Sequence, residues 1–121
     1  MISGKEVKNM WNNISGIEDL NGLLERSEKQ PQLIYKHSPS CGVSFIAKQE
    51  LEAEADEFRN SADLHLVNVI QDRPVSNAIA QEFGIRHESP QVLVLKNGKV
   101  VWEGSHWQIK SNNILPSLKE N

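Results

Sequence analysis

Gln32-Leu-Ile-Tyr-Lys-His-Ser-Pro-Ser-Cys41-Gly-Val-Ser44 decides the fold, because the only cysteine of the chain stands in it at an abrupt change of pattern. The apolar run Leu33-Ile34-Tyr35 reads as a buried strand and breaks at Ser38-Pro39-Ser40. Beyond the break, Val43, Ile46, Ala47, Leu51, Ala55 and Phe58 recur at roughly helical spacing, which predicts one helix from Cys41 to about Asn60. Ser38 or Ser40 is expected to cap it, since a serine oxygen accepts from the unpaired N–H groups of a first turn. A thiol at a helix start meets those N–H groups and the positive end of the helix dipole, and both favour thiolate. Cys41 is therefore a candidate nucleophile. The alternative is a small buried hydrophobe, but the Pro and Ser before it and Gly42 after it leave it poorly shielded.

The rest of the chain bounds what such a thiol can be part of. At 121 residues it makes one domain, 1–121, large enough for a core of its own. Thirteen basic against sixteen acidic residues leave a net charge of -3, which argues against a nucleic-acid partner. Glu50, Glu52, Glu54, Asp56 and Glu57 are expected mostly on the outer face of the helix, a solvated face. One cysteine excludes an intrachain disulfide. Met1 to Leu20 is too polar for a signal peptide or a membrane span, so the expected compartment is the cytoplasm, where a thiol stays reduced.

Periodicity supplies the other elements. Val7, Met10, Trp11 and Ile14 predict a helix over 1–14; Ser15 with Glu18 predicts a capping box for a second short helix that ends before Pro31. Leu64–Ile70 reads as a strand parallel to the first, since a helix crosses between them. Asp72 and Pro74 open another helix, with Val75, Ala78, Ile79 and Phe83 on its buried side and Gly84 as a left-handed stop. Gln91–Lys96 and Lys99–Glu103 flank Asn97-Gly98, the strongest short signal for an antiparallel hairpin. The tail from Gln108 has helical spacing, with Pro116 inside it.

This order of elements resembles the thioredoxin fold: an α/β domain with a central mixed four-stranded sheet flanked by helices, here with an N-terminal helical extension. The resemblance rests on the strand, turn, Cys41 and helix unit, and on Ala80–Arg86, Ser89-Pro90 and Val92–Val100, which are similar to the family's third helix, cis-proline loop and final hairpin. It implies that Pro90 is cis and that Ser89 pairs through its backbone with a bound thiol substrate. Thioredoxins use Cys-X-X-Cys, whereas Ser44 holds the second position here, and the buried carboxylate they keep in the preceding strand is missing from Leu33-Ile34-Tyr35. A dithiol reductant is therefore not expected.

The chain more closely resembles the monothiol bacilliredoxins of the bacillithiol system. Lys36-His37-Ser38, Cys41-Gly42-Val43-Ser44 and Ser105-His106-Trp107 match that family's signature, with Gly42-Val43 in place of its usual Pro-Ile. The resemblance implies a single-cysteine thiol-disulfide oxidoreductase that removes bacillithiol from client proteins. Cys41 is then the catalytic residue, and Ser40, Gly42, Ser44, Ser89 and Pro90 bind substrate. Bacillithiol is a co-substrate, no other cofactor or metal is implied, and a second thiol or redoxin regenerates Cys41. Ser44 either donates to the sulfur or is a surface helix serine; the sequence leaves both open. His87 is read as a solvated loop histidine, and the four histidines show no metal-ligand spacing. Two other classes remain. Cys-Gly-Val-Ser is close to the tetrad of monothiol glutaredoxins, which carry a [2Fe–2S] cluster, although Trp102–Ser105 replaces the segment those proteins have after the last strand. A non-catalytic interaction module on the same scaffold is the other.

Overall fold

The structure is a computed structural model and describes residues 10–119. Its centre is the strand expected from the apolar run, β2 at Gln32–His37, buried from Gln32 to Lys36. Such a strand needs a partner on each edge and a layer on each face. β3 (Asp63–Asn68) pairs with it in parallel and β4 (Gln91–Lys96) antiparallel. β1 (Asn12–Asn13) adds in parallel to β3, and β5 (Lys99–Ser105) adds antiparallel to β4, giving the order β1-β3-β2-β4-β5.

The alternation of a strand sends neighbouring side chains into different layers. Leu33 and Tyr35 pack with Ala47, Leu51, Phe58 and Ile114, under the helices α2 (Gly42–Glu52), α3 (Ala55–Ser61) and α5 (Ser111–Lys119). Ile34 packs with Leu23, Val75, Ile79, Leu93 and Leu95, under α1 (Ile17–Arg26) and α4 (Arg73–Phe83). The hairpin turn and the α4 stop form as expected: Asn97 and Gly98 take φ of 53° and 75°, and Gly84 takes φ of 62°, the left-handed region that Asn and Gly tolerate best.

Several expectations are corrected. The sheet has five strands among the described residues, not four. The expected helix over 1–14 lies mostly outside those residues, and its end is instead the edge strand β1, continued by a bond from Ile14 N–H to the Leu66 carbonyl at 2.9 Å. The capping box at Ser15 does not form: α1 starts after Gly16, and the Ser15 N–H donates to the Asp19 carboxylate at 3.2 Å. The long helix to Asn60 is broken into α2 and α3, with Glu54 out of helical conformation at φ -115°, ψ 36°. β3 ends at Asn68 because the Asn68 side chain accepts from the N–H groups of Ile70 and Gln71 and turns the chain. The acidic run is not uniformly solvated: Glu52 accepts from Trp11 Nε1 at 2.8 Å and Lys48 Nζ at 2.7 Å, and Glu50 accepts from Ser111 N–H at 3.0 Å.

Parallel β2 and β3 end on one side of the sheet, where α2 and α4 begin and β4 enters. The register Lys36↔Gln91 sets Pro90 level with His37. The thiol turn and the proline loop therefore share one end of the sheet.

Candidate functional site

Cys41 is a free, partly exposed cysteine at the N-cap of α2, with extended backbone at φ -111°, ψ 124°. A tight turn holds it there. The Cys41 N–H donates to the Ser38 carbonyl at 3.1 Å, and the Cys41 carbonyl accepts from Phe45 N–H at 3.1 Å. Neither Ser38 nor Ser40 caps the helix with its side chain, because the N-cap position is the cysteine itself. Ser38 contributes through its backbone, and Ser40 is exposed at the turn. Gly42 is the first residue of α2.

Ser44 is fully buried, so the surface-serine reading fails. Its hydroxyl oxygen accepts the Ser38 N–H at 3.1 Å, closing the turn across the thiol. With Ser44 turned inward, Phe45 and Ile46 point out, 60% and 48% exposed, although helical periodicity had placed Ile46 inward. Beneath the turn, the buried Tyr35 hydroxyl donates to the Ser44 carbonyl at 2.7 Å and meets His37 Nδ1 at 3.1 Å. Burial pushes the Tyr35 phenol up, with Glu52 and Cys41 adding to the effect. Burial holds His37 below the ordinary imidazole value, helped by the Lys48 ammonium. Trp11 lies against the Tyr35 ring at 5.5 Å between centroids.

The Ser89-Pro90 bond is cis. Pro90 is buried and its carbonyl accepts from His106 N–H at 3.0 Å, which ties the proline loop to the segment after β5. That segment is a 3₁₀ turn, His106–Gln108, with a capping box between Ser105 and Gln108, His106 at φ 54°, and Trp107 61% exposed. On either side of Pro90, Ser89 Oγ and Gln91 Oε1 are buried without a hydrogen-bond partner.

The other face of β2 carries Lys36, which the sequence reading placed in the family signature without assigning it a role. Lys36 is fully buried, and its ammonium donates to the Ser76 carbonyl at 3.1 Å and to His87 Nδ1 at 3.3 Å. Burial, helped by Arg73, lowers its pKa to about 8. His87 is half-buried against Lys36 and Ser76 rather than solvated, and burial and the Lys36 charge lower it as well. A lysine continuing an apolar strand run was the available signal for this pair.

The structure thus brings Cys41, Gly42 and Ser44 together in one turn and sets Ser89 and Pro90 at the same end of the sheet, with Ser40 at the exposed rim. One sulfur per site permits thiol exchange with an outside partner. It does not permit closure of an internal disulfide. Among the described residues no group of three or more His, Cys, Asp or Glu is placed to hold a metal ion, and no helix is long and apolar enough to cross a membrane.

Comparison with known proteins agrees with this geometry. A proposed oxidoreductase with a thioredoxin fold superposes with a TM-score of 0.81 at 24% identity, over 92% of this chain and 96% of that one. Thioredoxin from Trypanosoma brucei brucei gives 0.72 at 13% identity, covering 90% and 88%. Mitochondrial thioredoxin 3 from Saccharomyces cerevisiae gives 0.71 at 12%, covering 93% and 97%. At these identities the likeness shows the thioredoxin fold. The family described as monothiol bacilliredoxin BrxC matches residues 12–114.

Proposed function

Because the chain belongs to the monothiol bacilliredoxin family, we propose that Cys41 removes bacillithiol from the cysteines of client proteins. The observation that carries this reading is the solitary, partly exposed thiol at the start of α2, at the sheet end that also holds the cis Ser89-Pro90 bond. In the first step the Cys41 thiolate attacks the bacillithiol sulfur of the mixed disulfide. The sulfur–sulfur bond to the client breaks, and the client leaves as a thiolate that takes a proton from water. Cys41 now carries bacillithiol in a new disulfide. A second small thiol or another redoxin, attacking as thiolate at the bacillithiol sulfur, returns Cys41 to thiolate and leaves with the bacillithiol.

Free N–H groups of the first turn of α2 stabilise the sulfur anion both as attacker and as leaving group. Ser44, which accepts from Ser38 and so keeps its own hydroxyl proton to donate, is the side-chain donor proposed for that anion. Ser89 offers backbone groups to the bound chain beside Pro90, while Ser40 and Gly42 form the open rim through which the disulfide enters. Bacillithiol serves as co-substrate, S-thiolated proteins are the partners, and the cytoplasm is the compartment in which Cys41 would stay reduced.

The test is intact-mass spectrometry. Incubation with a peptide carrying bacillithiol on its only cysteine should free the peptide and leave one bacillithiol on the protein, an adduct absent from Cys41→Ser. A peptide still capped after incubation with reduced protein sinks the reading.

A further inference from the structure

Lys36, His37 and Ser38 come from consecutive positions, yet each engages a different wall of the thiol site. Ser38 binds Cys41 and Ser44 through its backbone, and His37 meets Tyr35 under α2. Lys36 goes to the opposite face of the sheet, where its ammonium bonds Ser76 of α4 and His87 of the segment that leads into Ser89-Pro90. The same segment is held at a second point, where Gln91 Nε2 donates to the Arg86 carbonyl at 3.0 Å. Both bonds reach it from neighbouring strands: Lys36 and Gln91 are direct register partners across β2 and β4.

Burying an ammonium among neutral acceptors is unfavourable, and an apolar residue would fill the same space without that penalty. The position therefore calls for an explanation other than stability. We infer that Lys36 is a positioning residue for substrate: through His87 and Ser76 it fixes the loop 85–89, so that the Ser89 backbone meets the client chain in a set place while Cys41 attacks. This rests on the exchange activity proposed above.

The hydrogen-bond roles make the inference specific. An ammonium can only donate, so His87 Nδ1 must be the acceptor, and the His87 ring proton sits on Nε2. Removing either partner should then have the same effect as removing both. A substitution that keeps an acceptor near the Nδ1 position should spare the loop.

The test uses the full chain and the bacillithiol-capped peptide. Lys36→Met is expected to raise KM roughly tenfold, the effect of losing the charge-assisted bond to His87 that holds the loop, with kcat within about twofold, because Cys41 and its turn are untouched. His87→Leu should match it, the double variant should be no worse than either single one, and His87→Asn should stay near wild type. In parallel, ¹⁵N relaxation should show residues 86–89 rigid in wild type and mobile in Lys36→Met and His87→Leu. If Lys36→Met does not fold, His87→Leu carries the comparison. A loop that stays rigid in the variants overturns the inference, and so does a mobile loop with unchanged KM, or a loss confined to kcat. Should wild type leave the peptide capped, the exchange reading fails, and the relaxation result still decides whether Lys36 fixes the loop.

Discussion

The Tyr35 hydroxyl donates its only proton to the Ser44 carbonyl, at 2.7 Å, so its 3.1 Å contact with His37 Nδ1 has to be donated by the histidine. One tautomer follows: neutral His37 carries its proton on Nδ1. Long-range ¹⁵N correlation at pH 7.5 is expected to show that form, and a protonated Nε2 with bare Nδ1 would contradict the arrangement. Tyr35 occupies the strand preceding the thiol, where dithiol relatives keep a carboxylate, and its hydroxyl bonds the first turn of α2. Tyr35→Phe removes that bond and should cost about 1 kcal/mol in urea unfolding, the ordinary net value of one internal bond.

Lys36 gives a pH dependence whose sign can be worked out. Its folded-state pKa of about 8 lies below the ordinary 10.5, so between these values the unfolded chain binds the extra proton. Stability therefore rises with pH across that window as the buried ammonium is neutralised. Below pH 8 the folded protein bears the full penalty, roughly 3 kcal/mol for a shift of that size. Lys36→Met escapes it but loses the bonds to Ser76 and His87, so near pH 7 it should be as stable as wild type or more so. That advantage should shrink steadily as unfolding is repeated from pH 8 to 10.5. A difference that stays constant with pH would show that Lys36 does not titrate in this window.

The sequence made much of the frame legible and little of the wiring. β2, the Asn97-Gly98 hairpin and α4 with its Gly84 stop could be read because each is written in local periodicity or in a turn residue whose backbone needs are special. β1 could not: two asparagines carry no apolar signal, and only pairing with His65 and Leu66 makes them a strand. The break between α2 and α3 was hidden because Ala55 and Phe58 continue the apolar spacing across Glu54. Ser44 and Ile46 exchanged places against hydrophobic order, since the inward face at the start of α2 is set by the bonds to Tyr35 and Ser38. Cys41 could be read from its place at a helix start beside a Pro-Ser turn, whereas the roles of Ser89 and Pro90 came only from resemblance to a known site. The Lys36–His87 contact joins residues 51 apart in sequence, and only the fold brings them together.

Gly42 departs from the family's usual proline, and the local geometry admits that proline. A Cβ at Gly42 would meet nothing within 4 Å, and position 42 is the first of α2, where proline's missing N–H is one the helix leaves unpaired. Cys41, at φ -111° and ψ 124°, already has the extended backbone required of a residue before proline. Gly42→Pro should therefore stabilise the protein by about 0.5–1 kcal/mol, mainly by restricting the unfolded chain. A lowered urea midpoint would show that the turn at Cys41 depends on the freedom of glycine.

Ser44 is the position at which the one-thiol character of the site can be reversed. It lies three residues after Cys41 in the first turn of α2, buried, with its oxygen turned to the Ser38 N–H. Ser44→Cys replaces that acceptor with a poorer one, a loss of about 1 kcal/mol, and sets a second sulfur on the same turn. In wild type the bacillithiol adduct on Cys41 has no internal sulfur to displace it and should persist until an outside thiol is added. In Ser44→Cys the new thiolate can attack Cys41, form an internal disulfide and expel bacillithiol as a thiolate. Intact mass followed over time should show a lasting adduct in wild type. The variant should pass instead to a species two hydrogens lighter than the reduced chain, with free bacillithiol released in equal amount. Persistence of the adduct in Ser44→Cys would mean that the side chain at 44, held inward under the turn, does not reach the sulfur, and would remove Ser44 as the proposed donor to the Cys41 thiolate.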